Sequence, residues 1–234
     1  MLPVLDGLKK TALDLLFPLR CIECSKEGSL ICPACHNRLA WILPPVCNFC
    51  GVDKPPDTPC TSCPVFRPVI DGMRAPFRFE GTIRSAVHQL KYRNLRAIAA
   101  PLAGLMADFL SDNPLSYDII IPVPLHSKRL RERGYNQSEL LAKEIGKLTG
   151  VRIEKDCLMR HRHTPAQAMT KSIQERHCNL AGAFICKNDS ALGKKVLLID
   201  DVATSGATLD ACAKALKSAG AVSVWGLTLA RDIR

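Results

Sequence analysis

Residues 196–208 read VLLIDDVATSGAT, and few folds accommodate that order. Val196, Leu197, Leu198 and Ile199 form an apolar run without alternation, the pattern of a strand covered on both faces, as in a parallel sheet. Asp200 and Asp201 follow at the carboxyl end of that strand, where open α/β sheets bind ligands. Val202 and Ala203 lead into a turn of Thr204, Ser205 and Gly206, small enough for backbone N–H groups to converge on an anion. Ala207 and Thr208 then open a helix expected over Ala207–Ser218, whose positive end faces the same point. Paired carboxylates repel a phosphate but accept hydrogen bonds from the two hydroxyls of a ribose. The pattern predicts one site for a sugar and its 5′-phosphate. An ordinary strand–turn–helix with an Asp cap accounts for one acid, not for two acids and a hydroxyl-rich turn.

The second constraint is metal chemistry. Eight of the twelve cysteines fall between positions 21 and 63 in four C-x-x-C pairs: Cys21/Cys24, Cys32/Cys35, Cys47/Cys50 and Cys60/Cys63. Disulfides are disfavoured in a reducing compartment, and four copies on so short a segment make thioredoxin-like redox chemistry a weak reading. Two such pairs complete a tetrahedral tetrathiolate zinc site. The count gives two structural Zn²⁺ sites. The short gaps favour Cys21, Cys24, Cys32 and Cys35 in the first, and Cys47, Cys50, Cys60 and Cys63 in the second. An interleaved pairing is the alternative. His36 is a bystander to a complete set. Cys157, Cys178, Cys186 and Cys212 are isolated and read as small buried apolar residues.

The chain has 234 residues, room for one α/β domain and a small module. Residues 71–180 carry 18 Lys+Arg against 11 Asp+Glu, most of the net charge of +10. That balance suits a polyanionic partner, a pyrophosphate or a nucleic acid, or else a solvated basic surface. Asp6, Lys9, Lys10 and Asp14 interrupt any signal-peptide core, and no apolar run reaches the length of a membrane span. A soluble, cytoplasmic protein is expected.

Residues 1–20 read as an N-terminal helical lead, residues 21–66 as the cysteine module, and residues 72–234 as the α/β domain. The module is expected to need metal for its stability. Within the domain, alternation predicts a strand over Arg74–Phe79. Helical spacing covers Thr82–Tyr92 and Arg96–Leu110. Tyr117–Val123 should be a buried strand, Asn136–Thr149 a helix, and Val151–Met159 extended. Lys195–Asp200 and Ala221–Ala230 should be strands flanking the last helix. Strands alternating with helices give a parallel, doubly wound sheet with helices on both faces.

Two further blocks carry chemistry. Pro122 and Pro124 take the chain stiffly off the sheet. Lys128, Arg129, Arg131 and Arg133 then cluster as a basic loop before Gly134, and Asn136 can cap the next helix. A solvated Arg-rich loop is the plain alternative. The stretch 160–184 reads RHRHTPAQAMTKSIQERHCNLAGAF. Residues 160–175 lack apolar periodicity and read as a mobile loop.

Residues 196–208 closely resemble the phosphoribosyl pyrophosphate (PRPP) motif of type I phosphoribosyltransferases. Together with PVPL, RGYNQ and TPAQ they are similar to the ComF competence-protein family (ComFC- or GntX-like). That family joins a double zinc ribbon to a phosphoribosyltransferase domain. The resemblance implies a type I phosphoribosyltransferase-like fold, with Asp200 and Asp201 holding the ribose as catalytic groups. It implies that Val202, Ala203, Thr204, Ser205, Gly206, Ala207 and Thr208 wrap the 5′-phosphate, with Lys91, Pro124, Arg133 and Arg160 also at PRPP. Gly134, Asn136 and Gln137 belong to its signature loop, and Thr164, Gln167 and Arg176 to its flexible loop. It further implies Mg²⁺ with PRPP, and a role in import of single-stranded DNA beside a DNA-uptake helicase or other competence proteins. The cysteine module is expected to supply any hood over an acceptor. An active phosphoribosyltransferase on an unnamed acceptor, without a direct DNA role, is the other reading.

Overall fold

The computed structural model describes residues 18–60, 63, 68–162 and 180–233. The helical lead before residue 18 and the loop positions Thr164, Gln167 and Arg176 fall outside them, as does Cys178. The sheet is built on β6 (Lys195–Ala203) and β7 (Ser223–Arg231), which run parallel side by side. β3 (Ile119–Pro122) adds to β6, and β1 (Gly72–Arg74) and β2 (Phe77–Arg78) both add to β7, all parallel.

Burial explains why these residues form strands. Val196 and Leu198 face one core cluster and Leu197 and Ile199 the other, so the run is covered on both sides. On one face pack α2 (Gly81–Tyr92), α3 (Ala99–Asp112) and α5 (Gln137–Thr149). On the other lie α6 (Ala207–Ser218) and a small antiparallel pair, β4 (Leu158–Arg160) and β5 (Phe184–Cys186). The expected parallel α/β sheet with helices on both faces is present.

Four expectations are corrected in detail. β6 does not stop at Asp200: Asp200 pairs with Thr228 and Ala203 with Arg231, so the acids are the sixth and seventh of nine strand residues, inside the strand and not beyond its end. The strand expected over Arg74–Phe79 is split between β1 and β2 at Ala75-Pro76, because proline cannot donate to the ladder. The helix expected from Arg96 begins as a 3-10 turn, Arg96–Ile98, and becomes α-helical at Ala99. Pro101 then falls in the first turn, where its missing N–H is harmless. The stretch 151–159 is only locally extended. Arg152 and Glu154 bond Ile120 on the outer edge of β3, and β4 starts at Leu158.

The basic stretch is likewise a helix, not a loop. α4 (Ser127–Arg133) starts where the His126 ring accepts from Lys128 N at 3.2 Å, and ends at Gly134, left-handed with φ 76°. None of its residues is buried, so it carries no apolar period for a sequence reading to find.

The cysteine module, including the short α1 (Pro33–His36), is tied to the sheet. Ile42 N donates to Pro76 O and Arg78 N to Ala40 O, each at 2.8 Å. Met73 N donates to Phe49 O at 2.7 Å. Trp41 packs on Phe77 with ring centroids 4.4 Å apart. Cys47, Cys50 and Val52 belong to the same core cluster as Met73 and Leu198. Among the described residues no helix is long and apolar enough to cross a membrane.

Candidate functional site

The two acids of β6 are held by side chains from two other elements, α2 and α5. Asp201 is 4% exposed. Its Oδ1 accepts from Lys91 Nζ at 2.7 Å and its Oδ2 from Gln137 Nε2 at 3.2 Å. Asp200 Oδ1 accepts from Ser138 Oγ at 2.8 Å and from Asp201 N at 2.9 Å. Lys91 thus balances one charge of the pair directly. Burial, with the Asp201 carboxylate beside it, pushes the Asp200 carboxyl up to about 7, against the pull of Lys91 and Ser138.

The RGYNQS stretch explains why these partners arrive. Gly134 turns the chain back through a left-handed residue. Tyr135 is buried and its hydroxyl donates to Leu90 O, which fixes the end of α2. Asn136 donates from Nδ2 to Val123 O at 2.9 Å and accepts Ser138 N at 3.1 Å, so one side chain caps α5 and pins it to the end of β3. Gln137 and Ser138 in the first turn of α5 are thereby brought to the acids. The signature loop is in large part a device for positioning Asp200 and Asp201.

The turn beyond the acids is equally constrained. Gly206 is left-handed at φ 79° and caps α6. A Cβ there would lie 2.6 Å from Met73 Cε and 2.7 Å from Met73 Sδ. Asp210 in the first turn of α6 accepts Val69 N at 2.6 Å and Ile70 N at 3.1 Å, and Lys214 neutralises it at 3.2 Å. That side chain anchors the helix end to the joint between module and sheet.

Lys91, Pro124, Arg133, Arg160, Asp200, Asp201, Val202 and Thr208 line one cleft of about 180 Å³ with Arg129 and Tyr92. The Arg160 guanidinium lies 5.5 Å from the Phe184 ring, and burial with the Arg129 charge pulls its pKa down. Lys91, expected at a phosphate, is the ion-pair partner of Asp201. Ala203, Thr204, Ser205, Gly206 and Ala207 form the end of β6 and the turn that opens α6. A larger groove of about 410 Å³ runs between α6 and β5, but its lining is mainly Phe184, Ile185, Ala211 and Ala215. The polar groups converge on the smaller cleft, and the chemistry is assigned there.

The cysteines form two closed sets. In Cys21, Cys24, Cys32 and Cys35, and in Cys47, Cys50, Cys60 and Cys63, all Sγ atoms lie within 4.8 Å of one another. Cys24–Cys32 and Cys47–Cys63 are 3.5 Å apart and Cys50–Cys60 3.4 Å. A tetrahedron with Zn–S bonds of about 2.3 Å has edges of about 3.8 Å, so both donor sets fit structural zinc. The sequential pairing holds, and the interleaved alternative does not.

Three residues were not evident from sequence. Ser138 looks like an ordinary first-turn residue. Met73 and Arg231 form the floor between the Gly206 turn and the second cysteine set. Arg231 is 2% exposed, with Nη1 3.9 Å from Met73 Sδ. Burial pulls its guanidinium down while Cys50, Cys60 and Cys63 hold it up. No motif signals a cation whose partners lie so far away in sequence. Cys157 and Cys212 are fully buried, as expected, and Cys186 partly so.

The chain is similar to known proteins along most of its length. Residues 12–64 match the family model for a double zinc ribbon domain. Competence protein ComFC of Bacillus subtilis (strain 168) is 29% identical over 220 residues, 88% of this chain and 86% of that protein. DNA utilization protein YhgH of Salmonella typhi is 32% identical over 206 residues, 84% and 89% of the two chains. Among solved structures, glutamine PRPP amidotransferase from B. subtilis aligns over 56% of this chain and 26% of its own, with TM-score 0.40 and 19% identity. On the shared ribbon and the near full-length match to YhgH, the chain belongs to the ComF competence-protein family.

Proposed function

We propose that the cleft at the end of β6 binds PRPP with Mg²⁺ and that the protein uses it in handling single-stranded DNA during natural transformation, in the cytoplasm. The observation that supports this most is the convergence of two acids and a glycine-capped helix start on one cleft with Arg129, Arg133 and Arg160. Asp200 and Asp201 accept the ribose hydroxyls. Asp201 accepts one bond on each oxygen, from Lys91 and Gln137, and keeps lone pairs for a ribose hydroxyl, while Lys91 beside it carries charge toward the phosphates. The backbone N–H groups of residues 204–208 and the positive end of α6 receive the 5′-phosphate. The three arginines face the pyrophosphate side, where positive charge favours bond cleavage. Bound Mg²⁺ would add charge neutralisation to the pyrophosphate. Pro124 shapes the wall beneath it.

The names of the relatives support the process half of this reading, since ComFC is named for competence and YhgH for DNA utilization. The proposal is tested in two halves. Incubation with PRPP and Mg²⁺, with and without single-stranded DNA, is assayed for pyrophosphate release and for PRPP consumption. A strain lacking the gene is assayed for transformation by linear DNA. Normal transformation in that strain overturns the process half.

A further inference from the structure

At the mouth of the cleft and running on from it, one surface combines cations and an exposed ring. Arg84, His88 and Tyr92 recur at helical spacing on α2, and all are exposed. Tyr92 keeps 66% of its surface in solvent. Its ring is flanked by His88, with centroids 4.9 Å apart, and by the Arg133 guanidinium at 5.6 Å. Arg129 stands one turn before Arg133 on α4, and Arg93 and Arg96 are exposed at the end of α2 and just beyond it. A groove of about 630 Å³ runs along α2 from Ile22 of the cysteine module, past Arg84 and His88, to Lys91 and Tyr92. A second groove continues from Tyr92 along Arg129 and Arg133. Glu132 is the acid on this path, against Arg84, Lys91, Arg129 and Arg133.

We infer that this strip is a track for single-stranded nucleic acid, with a base stacked on Tyr92 and phosphates along Arg84, Arg129 and Arg133. This surface serves the DNA part of the function proposed above; Arg129 and Arg133 belong to both strip and cleft, so the strip is tested in the absence of PRPP. Charge complementarity and an aromatic ring that keeps most of its surface in solvent both favour this occupant. A positive groove follows a phosphate backbone, and an exposed ring offers a stacking platform that any base can use. A duplex keeps its bases stacked on one another and gains nothing from Tyr92. An acidic protein would be attracted by the arginines, but its carboxylates offer no ring to stack on Tyr92. Arg84 and Tyr92 are eight residues apart, about 12 Å along the helix, so the strip spans more than one nucleotide. Because Lys91 and Tyr92 line both the track and the acid cleft, a strand on the track would pass the mouth of the site.

The test is fluorescence anisotropy of the full zinc-loaded protein with dT20, with rU20 and with a 20-base-pair duplex, across salt. Tyr92→Ala is expected to weaken single-strand binding about ten-fold and leave duplex binding unchanged. Tyr92→Phe keeps the ring and should bind as the wild type does. Arg84→Gln with Arg129→Gln should flatten the salt slope by about 0.7 per lost phosphate contact. Lys194→Gln, at the opposite end of β6, should change neither quantity. Tyr92 dependence on dT20 or rU20 supports the track and tells DNA from RNA. Wild-type affinity in Tyr92→Ala, or an equal loss for the duplex, overturns it. PRPP affinity of the wild type, measured separately, decides the cleft and not the track.

Discussion

Replacing Asp200 by Asn should stabilise the protein, and increasingly so as pH rises. In the folded chain burial and the Asp201 charge push Asp200 up to about 7, whereas an unfolded Asp titrates near 3.9. The folded state therefore binds more protons than the unfolded state between these values, and stability falls as pH rises through that window. The slope is about 1.4 kcal/mol per pH unit and flattens above pH 7, reaching a ceiling of about 4 kcal/mol. It is a ceiling because Asp200 keeps a partly exposed edge. Asn retains an oxygen to accept Ser138 Oγ and Asp201 N, so the bonds at 2.8 and 2.9 Å can persist while the charge is lost. Urea unfolding of both proteins at pH 5 and pH 8, with saturating zinc in each, should show the gain of Asp200→Asn growing by about 2.5 kcal/mol between the two. Common effects of zinc-ligand protonation cancel in the difference. A gain that is constant with pH, or that shrinks, refutes the strained acid pair.

Other outcomes follow from the same contacts. Ser138→Ala removes a bond to the Asp200 carboxylate, so the pH midpoint of that stability difference should move upward. Gly206→Ala forces a left-handed φ of 79° on a residue with a Cβ and crowds Met73. It should lower stability by about 1–2 kcal/mol in denaturant unfolding. Elemental analysis should find two zinc ions per chain, and Arg231→Leu should speed chelator release of one of them, since that guanidinium faces Cys50, Cys60 and Cys63. Equal release from both sets would remove Arg231 from the second centre.

Much of this was legible because three signals are local. A run buried on both faces, Val196–Ile199, marks β6, and the turn after it sets α6 at Ala207–Ser218 as expected. The zinc sets were legible from gap length, since each closes within about 16 residues. Asn136 was legible as a cap, because caps act within one turn. What was not legible acts over distance or without burial. Ser138 reaches Asp200 across 62 positions, and Lys91 reaches Asp201 across 110. α4 buries nothing, so its caps, His126 and Gly134, are its marks in the sequence. The module's seat on β1 and β2 uses backbone bonds, which leave no residue-type signature, and packing between residues far apart in sequence.

The central claim is that the Asp200–Asp201 pair holds the ribose of PRPP. The direct measurement is calorimetric titration of PRPP with Mg²⁺ into the zinc-loaded wild type and into Asp201→Ala. Saturable one-site binding is expected for the wild type, weakened by about 1.5–3 kcal/mol in the variant, the scale of hydrogen bonds to a charged group. Equal affinity in the two proteins, or no heat of binding in the wild type, contradicts it.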